Sequence, residues 1–360
     1  MIPGEVTEGA DPDFSIIIVN WNTRDLLRAC LSSIFSQPDV TIVDPDGTLS
    51  DSRPCSGGQP HGSSARLSVE VIVVDNASSD GSIAMLEDEF PQVRLLANQR
   101  NLGFAAANNQ AITRSNGHNL FLLNPDAYLL PGALNGLATF LRNKPQAAAV
   151  GPNVLNPDGS WQAASFRFPT LWDLFCEAAF LSVIWPRSPL FARRELGGFN
   201  RDTELEVDWV QGCALAIRRE VWNEVGSFDE AYWMYVEELD WCRRARERGY
   251  RIFFTPDAQV VHHGKQAVAQ ARGDLLPLGF RSHFRYFGKF EGRTTELAVR
   301  AITIVGMGFR ASVSAGMIVL TSGAQRNRWK ENWRAYTGVI RQALKPRSEP
   351  TPPVNPVSLL

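Results

Sequence analysis

The stretch Leu120–Leu130 (LFLLNPDAYLL) limits the possible folds more than any other part of the chain. Four consecutive apolar residues, Leu120 to Leu123, have the length and type of a strand buried on both faces, as inside a parallel sheet. The run must stop at Asn124-Pro125-Asp126, because Pro125 has no N–H to give to a neighbouring strand. Asp126 is thereby left on the loop at the strand's carboxyl end, the edge of an open α/β sheet where ligands bind. A carboxylate there can hold a hard divalent cation such as Mg²⁺, which would in turn hold phosphate oxygens. Asn, Pro and Asp also make ordinary turns, so the flanking segments decide between the two readings.

Those segments alternate. Ser15–Asn20 (SIIIVN) is a β-branched run and reads as a buried strand. Thr23 is placed to cap a helix whose apolar residues Leu26, Leu27, Cys30, Leu31, Ile34 and Phe35 recur at three- and four-residue spacing. Residues 38–68 are rich in Gly, Ser, Pro and Asp without a period and read as a flexible surface insertion, as 1–13 read as a flexible tail. Strands are expected at Val69–Asp75 and Val93–Ala97 and from Val150, and helices over 83–90 and 105–112. A further helix has Pro131 in its first turn and runs to about Arg142. Strands and helices alternating through short polar turns specify an α/β fold built on a mainly parallel sheet flanked by helices.

The second half changes character. Leu171–Phe191 is aromatic and apolar but broken by Pro186 and Pro189. It reads either as a core helix or as an exposed apolar wall for an oily ligand. Val210–Ile217 alternates as a strand does, and Arg218–Val225 and Glu237–Arg248 read as helices ended by Gly226 and Gly249.

Charge separates along the chain. Between Arg272 and Arg347 there are fourteen Lys and Arg against four Asp and Glu, whereas the 360-residue chain as a whole carries a net charge of -2. An acidic body with a basic extension points to an anionic surface as partner. The five cysteines form neither CxxC nor metal-ligand spacing, and their odd number argues against a disulfide framework, so a reducing, cytoplasmic setting is expected. The acidic, Gly/Pro-containing start does not resemble a secretory signal.

Several residues could carry chemistry. Asp75 ends a strand, and its carboxylate can accept the imide N–H of a uracil or thymine. Glu237, Glu238 and Asp240 open a helix, where the dipole favours negative charge. That is a common first turn, but these carboxylates stand among Trp233, Met234, Tyr235, Val236, Leu239 and Trp241, where burial makes a functional acid or base. His262 is either a hydrogen-bonded core histidine or a metal ligand joining a carboxylate on a Mn²⁺-like ion.

The ordered set SIIIVNWN, VIVVDNASSDGS, NQRNLGFAAANNQAI, FLLNPDA, WVQGCALAIRREVWNEVGSFDE, MYVEELDWCRRARERGYRI and VVHHG resembles the family 2 inverting glycosyltransferases of GT-A fold, within them the rhamnosyltransferase-like branch. The resemblance covers about 14–265. It implies a GT-A (Rossmann-like) domain there, followed by a basic and apolar helical extension over 266–345 and a Pro-rich tail over 346–360. It further implies that Asp75, Asn20 and Trp21 meet the nucleobase and that Gly103, Phe104 and Asn108 lie along the diphosphate. Asn124 stands where many relatives have the first acid of Asp-x-Asp, so Asp126 is the retained ligand, with His262, for Mg²⁺ or Mn²⁺. Glu238 occupies the position of a general base that is commonly Asp, beside Glu237 and Asp240, and Arg244 matches a helix arginine facing diphosphate or acceptor.

Two rivals are weighed. A nucleotidyltransferase would show a Gly-rich, basic phosphate loop after its first strand, and Asn20-Trp21-Asn22-Thr23 is not one. A non-catalytic sugar-nucleotide-binding or membrane-associated scaffold of the same fold is the alternative that Asn124 invites. The expected donor is a dTDP or UDP sugar, with dTDP-L-rhamnose favoured by the branch, and the acceptor is a glycan or lipid-linked glycan. Arg300 and Arg310 interrupt the apolar segment Leu297–Leu320, so that segment is expected to lie on the anionic cytoplasmic membrane face rather than cross it. Packing on the catalytic domain or a homodimer interface is the competing use. Nucleic acid is not expected, because the aromatics of the extension follow no recognition module.

Overall fold

A computed structural model describes residues 11–50, 66–264 and 266–346. The chain divides into two compact units that interleave in sequence. The first is Met1–Phe166, Asn200–Phe228 and Trp241–Gln266; the second is Arg167–Phe199, Asp229–Asp240 and Ala267–Leu360. These units interleave across position 265, where the sequence reading places the end of the GT-A domain.

The first unit starts with β1 (Phe14–Asn20), α1 (Arg24–Phe35), β2 (Val40–Val43), β3 (Leu49–Ser50) and β4 (Leu67–Asp75). It continues through α2 (Ser82–Glu89), β5 (Arg94–Ala97), α3 (Phe104–Ile112), β6 (Asn119–Leu123) and β7 (Ala127–Leu129). Next come α4 (Ala133–Asn143), β8 (Ala147–Leu155) and β9 (Ser165–Phe166). After α5 (Leu171–Ala178) and α6 (Leu181–Ile184) of the second unit, the chain returns as β10 (Leu205–Val207), β11 (Trp209–Val210), β12 (Ala214–Arg218) and α7 (Arg219–Val225). Then follow α8 (Glu237–Glu247), β13 (Arg251–His262) and the helices α9 (Gln266–Phe290), α10 (Gly292–Leu320) and α11 (Gly323–Leu344).

At the centre, β1 lies between β4 and β6 and is parallel to both. All nine residues of β4 are buried, its stretch Val71–Val74 being an unbroken β-branched run of the kind that fills a parallel sheet's interior. The sheet order is β10-β13-β8-β12-β6-β1-β4-β2-β3, with β5 pairing β4 and β7 pairing β13. Helix packing on the sheet buries Leu27, Leu31 and Ile34 of α1 and Leu134, Leu137 and Leu141 of α4 in the same core as Ile16, Ile18 and Val73.

Several expectations are corrected. Residues 38–68 are not a structureless insertion throughout. Val40–Val43 pairs in parallel with the start of β4, and Val40 and Ile42 are buried, so tertiary pairing overrides a composition that reads as loop. Asp13, at the end of the expected flexible tail, is tied to Ser68 by hydrogen bonds in both directions; residues 1–10 and 51–65 lie outside the described residues, as do 347–360 of the expected tail. Thr23 is the N-cap residue of α1 and its carbonyl accepts from the Leu27 N–H, but its hydroxyl makes no cap bond and donates to Asn20 Oδ1 at 2.7 Å. Pro131 lies outside the helix, before the cap residue Gly132 (φ 80°), and α4 begins two residues after it at Ala133.

β8 runs through Gly151-Pro152. Its partner β13 shifts register between Phe254 and Gln259, which accommodates a residue with no N–H, and a Cβ on Gly151 would stand 2.4 Å from Val210 Cγ1. The expected strand Val210–Ile217 breaks at Gly212-Cys213 into β11 and β12.

In the second unit, α5 starts with a reciprocal cap between Thr170 and Asp173. α10 packs along α11 and meets α5 where Gly306 lies against Ala178; a Cβ on Gly306 would come within 2.9 Å of the Ala178 Cβ. Leu171–Phe191 is not a core helix, because Trp172, Phe175, Val183, Ile184, Trp185 and Leu190 are all exposed.

Candidate active site

The carboxyl ends of β1 and β4 lie side by side, with Asn20 opposite Asp75 in the register. Asn20 Nδ2 donates to Asp75 Oδ1 at 2.8 Å and to Ser78 Oγ at 3.1 Å, and the Ser78 N–H donates to Asp75 Oδ2 at 2.8 Å. Asp75 is fully buried, with both oxygens engaged, so in this conformation it organises the loop. A carboxylate offers about four lone-pair sites, which leaves capacity for a base N–H. Trp21 is half-buried on the bend after β1.

One loop further, Asn76 Nδ2 donates to the Gly103 carbonyl at 3.2 Å, and Asn76 Oδ1 accepts from Asn98 Nδ2 at 3.0 Å. Gly103, with φ of 86°, caps α3 and leaves that helix's first N–H groups and positive dipole end as an anion site. Phe104 starts the helix, half-buried. Asn108 is buried and turns its amide back to the Phe104 carbonyl at 2.8 Å, so it braces this helix start.

The expected metal ligands are brought together. β7 pairs antiparallel with the end of β13, and the register sets His262 opposite Ala127, next to Asp126. His262 Nε2 stands 3.2 Å from Asp126 Oδ1 and 3.3 Å from Asn124 Nδ2. On the other side of the ring, Nδ1 meets Gln162 Oε1 at 2.5 Å, while Gln162 Nε2 donates to Asn156 Oδ1 at 2.7 Å and to the His262 carbonyl at 3.1 Å. With its amide so committed, Gln162 Oε1 is the acceptor, Nδ1 carries the proton, and Nε2 presents a lone pair beside a carboxylate oxygen. Two ligands at right angles on an octahedral ion of Mg²⁺ size are about 3.0 Å apart, so the observed spacing fits a shared cation. Among the described residues no group of three or more His, Cys, Asp or Glu is arranged around a metal. Asp126 and His262 thus fit as two of the ligands of such a cation, whose other positions would suit water and phosphate oxygens.

Arg244 donates to the carbonyls of Val225 and Ser227 at 2.8 Å each, closing the end of α7.

The second unit holds the carboxylate trio. Tyr235 and Val236, just before α8, have φ of 67° and 76°, which for a β-branched valine is a strained conformation. Ser282 Oγ donates to the Met234 carbonyl at 3.0 Å and helps to hold this turn. Glu237 is buried and its Oε2 has no hydrogen-bond partner. Burial first, and the neighbouring Glu238 charge second, push its carboxyl well above the usual range, so Glu237 keeps a proton and shares it with Glu238. Two adjacent carboxyl groups of which one holds a proton are an acid–base pair. Asp240 is different. Its Oδ2 accepts from Lys289 Nζ at 2.6 Å and from the Tyr232 hydroxyl at 3.1 Å, and Lys289 also reaches Asp229. Its geometry is that of a buried ion pair supporting the start of α8.

Gln162, Asn76, Ser78 and Lys289 were not found from the sequence. Gln162 and Lys289 have partners 100 and 49 residues away, which no local spacing marks, whereas Ser78 bonds Asp75 only three residues back.

Fold and site together define a class. The mannosyltransferase PcManGT from Pyrobaculum calidifontis, solved in complex with GDP-Man and Mn²⁺, superposes with a TM-score of 0.52 at 15% identity, over 95% of this chain and 90% of that one. The curled, mostly parallel sheet flanked by helices is that of the GT-A fold. The family model described as Glycosyl transferase family 2 matches residues 15–202. The N-acetylglucosaminyl-diphospho-decaprenol L-rhamnosyltransferase of Mycobacterium tuberculosis is 32% identical over 230 residues, spanning 60% of this chain and 73% of that protein. The low-salt glycan biosynthesis hexosyltransferase Agl10 of Haloferax volcanii is 26% identical over 227 residues, spanning 60% and 66%. The chain belongs to glycosyl transferase family 2.

Proposed function

We propose that the protein is an inverting, metal-dependent glycosyltransferase that moves L-rhamnose from dTDP-L-rhamnose to a hydroxyl of a lipid-linked glycan in cell-surface polysaccharide synthesis. The observation that carries the reading is the Asp126–His262 pair, 3.2 Å apart at the ligand edge of the sheet and oriented by Gln162. Support for the sugar and the acceptor comes from the mycobacterial relative, named for both.

In this reading Asn20, Trp21 and Asp75 receive the thymine or uracil base, and the N-terminus of α3 faces the diphosphate. A bound Mg²⁺ or Mn²⁺ on Asp126 and His262 would neutralise charge growing on the leaving diphosphate. The acceptor oxygen attacks C1 from the side opposite the diphosphate. The C1–O bond to phosphate breaks with its electron pair going to the diphosphate, and the hydroxyl proton goes to Glu238. Glu237, holding its own proton, leaves Glu238 as the member of the pair that accepts. One in-line displacement inverts the anomeric centre.

The +10 excess of basic residues between Arg272 and Arg347 supports a peripheral location on the anionic cytoplasmic membrane face, where a lipid-linked acceptor is presented. The test is a screen of sugar nucleotides for acceptor-dependent release of nucleoside diphosphate. dTDP-L-rhamnose should give the fastest release, and chelator should stop it. A clear preference for a GDP sugar, or full activity in excess chelator, refutes the donor or the metal part respectively.

A further inference from the structure

α10 is long and apolar enough to cross a bilayer by length and composition alone. Its arginines, which the sequence reading took as interruptions, both turn inward. Arg300 donates to Glu296 Oε1 at 2.8 Å and to the carbonyls of Ala343 and Lys345 at 2.8 and 2.9 Å. Arg310 donates to the Glu177 carbonyl at 2.8 Å, its guanidinium 4.1 Å from the centre of the Phe180 ring. With both charges taken up inside the second unit, the outward stripe Leu297, Val305, Phe309, Val313, Val319 and Leu320 carries no charge. It extends over ~36 Å of helix.

A second apolar surface adjoins it. α5 packs on α10 through Ala178 and Gly306, and the ring of Phe180, the residue before α6, meets Phe309 edge-on at 6.2 Å. Beyond that contact Val183, Ile184 and Trp185 are 70%, 59% and 50% exposed. Exposed large apolar side chains clustered in this way mark an interaction surface. Its borders are cationic: Arg187 is exposed two residues after Trp185, and Arg326, Arg328 and Lys330 are exposed just past Leu320, with Trp333 exposed beyond them. Apolar side chains bordered by Arg, Lys and Trp match the layering of an anionic bilayer surface, acyl boundary inside and headgroups around.

We propose that the outward stripe of α10 and the α6 turn form one surface that inserts into the acyl boundary of an anionic membrane. The proposal rests on the peripheral membrane location put forward above. It adds insertion to charge attraction, and it adds residues 183–185, which carry none of the basic excess.

The test is flotation of the full chain with vesicles of phosphatidylglycerol and phosphatidylcholine, at low salt and in molar salt. Charge attraction is screened in molar salt, so wild type should stay bound there through its apolar contacts. The double variants Ile184→Asp/Trp185→Asp and Val305→Asp/Phe309→Asp change exposed positions, and unchanged urea midpoints would show that they fold. Their bound fraction in molar salt should fall at least about tenfold, the consequence of withdrawing two large apolar side chains. If wild type binds at low salt but is released completely by molar salt, or if the variants stay bound as wild type does, insertion is refuted while the peripheral location stands. If wild type ignores the vesicles at every salt, both are refuted. If light scattering shows a wild-type dimer that the Val305→Asp/Phe309→Asp variant loses while flotation is unchanged, the stripe is covered by a second copy and the proposal falls.

Discussion

Gln162→Ala should weaken divalent-cation binding without touching either ligand. The His262 ring has two competing hydrogen-bonded states. In one, Nδ1–H donates to Gln162 Oε1, at 2.5 Å, and the Nε2 lone pair faces Asn124 Nδ2, at 3.3 Å, where a cation can take the place of that long contact. In the other, Nε2–H donates to Asp126 Oδ1, at 3.2 Å, and the proton occupies the place where the cation belongs. Removing Gln162 deletes the partner of the first state and leaves the second intact, on a ring that is almost fully buried and has little water to turn to. The hydrogen bond lost is worth about 1 kcal/mol net, and loss of such a supporting group costs ligand sites roughly 10- to 100-fold in metal affinity. The apparent Kd for Mn²⁺, read from the free-ion electron paramagnetic resonance signal in the presence of dTDP, should therefore rise by about that range. Gln162→Glu keeps an acceptor at the same reach and should bind within a few-fold of wild type. An unchanged Kd for Gln162→Ala, or a Gln162→Glu variant as weak as the alanine, would refute the tautomer argument.

Three further outcomes are expected. Glu238→Gln should reduce transfer by roughly 10²-fold or more while dTDP binding by calorimetry stays near wild type; near-normal turnover would remove Glu238 as base. Glu237, protonated in the folded state above its ordinary value of 4.5 because of burial and then Glu238, makes the native protein hold more protons than the unfolded chain, so stability falls as pH rises from about 4.5 toward its folded pKa. Urea unfolding should accordingly show wild type losing more stability between pH 5 and pH 7 than Glu237→Gln, and equal losses would contradict the protonated carboxyl. Lys289→Met leaves the fully buried Asp240 without its ammonium partner and should cost about 3 kcal/mol in urea unfolding, with Lys289→Arg costing clearly less; a loss under about 1 kcal/mol would show that this ion pair does not support α8.

The sequence by itself determined the parts that depend on short-range signals. β1, β4 and β6 are legible because a β-branched or apolar run buried on both faces has one stable use, and Pro125 ends the last of them at Asp126 whatever else the chain does. The family resemblance singled out Asn20, Asp75 and Asp126 as candidates, and the structure puts Asn20 and Asp75 at adjacent strand ends and Asp126 just after β6. Tertiary structure decided what those positions meet. His262 reaches Asn124 across 138 residues only because β7 pairs with the far end of β13 in one register, and a slip of one residue would turn it to the other face. Val40–Val43 became a strand because β4 offered it an edge. Asp240 became an ion-pair partner because Lys289 was packed beside it, and Asp75 and Arg244 were drawn into loop and helix-end contacts. Arg300 and Arg310 sit in the sequence as breaks in an apolar helix. Their direction was settled by carbonyls at Ala343, Lys345 and Glu177. Period and propensity act over about ten residues, whereas register, side-chain direction and the partner of a buried charge are properties of the packed chain.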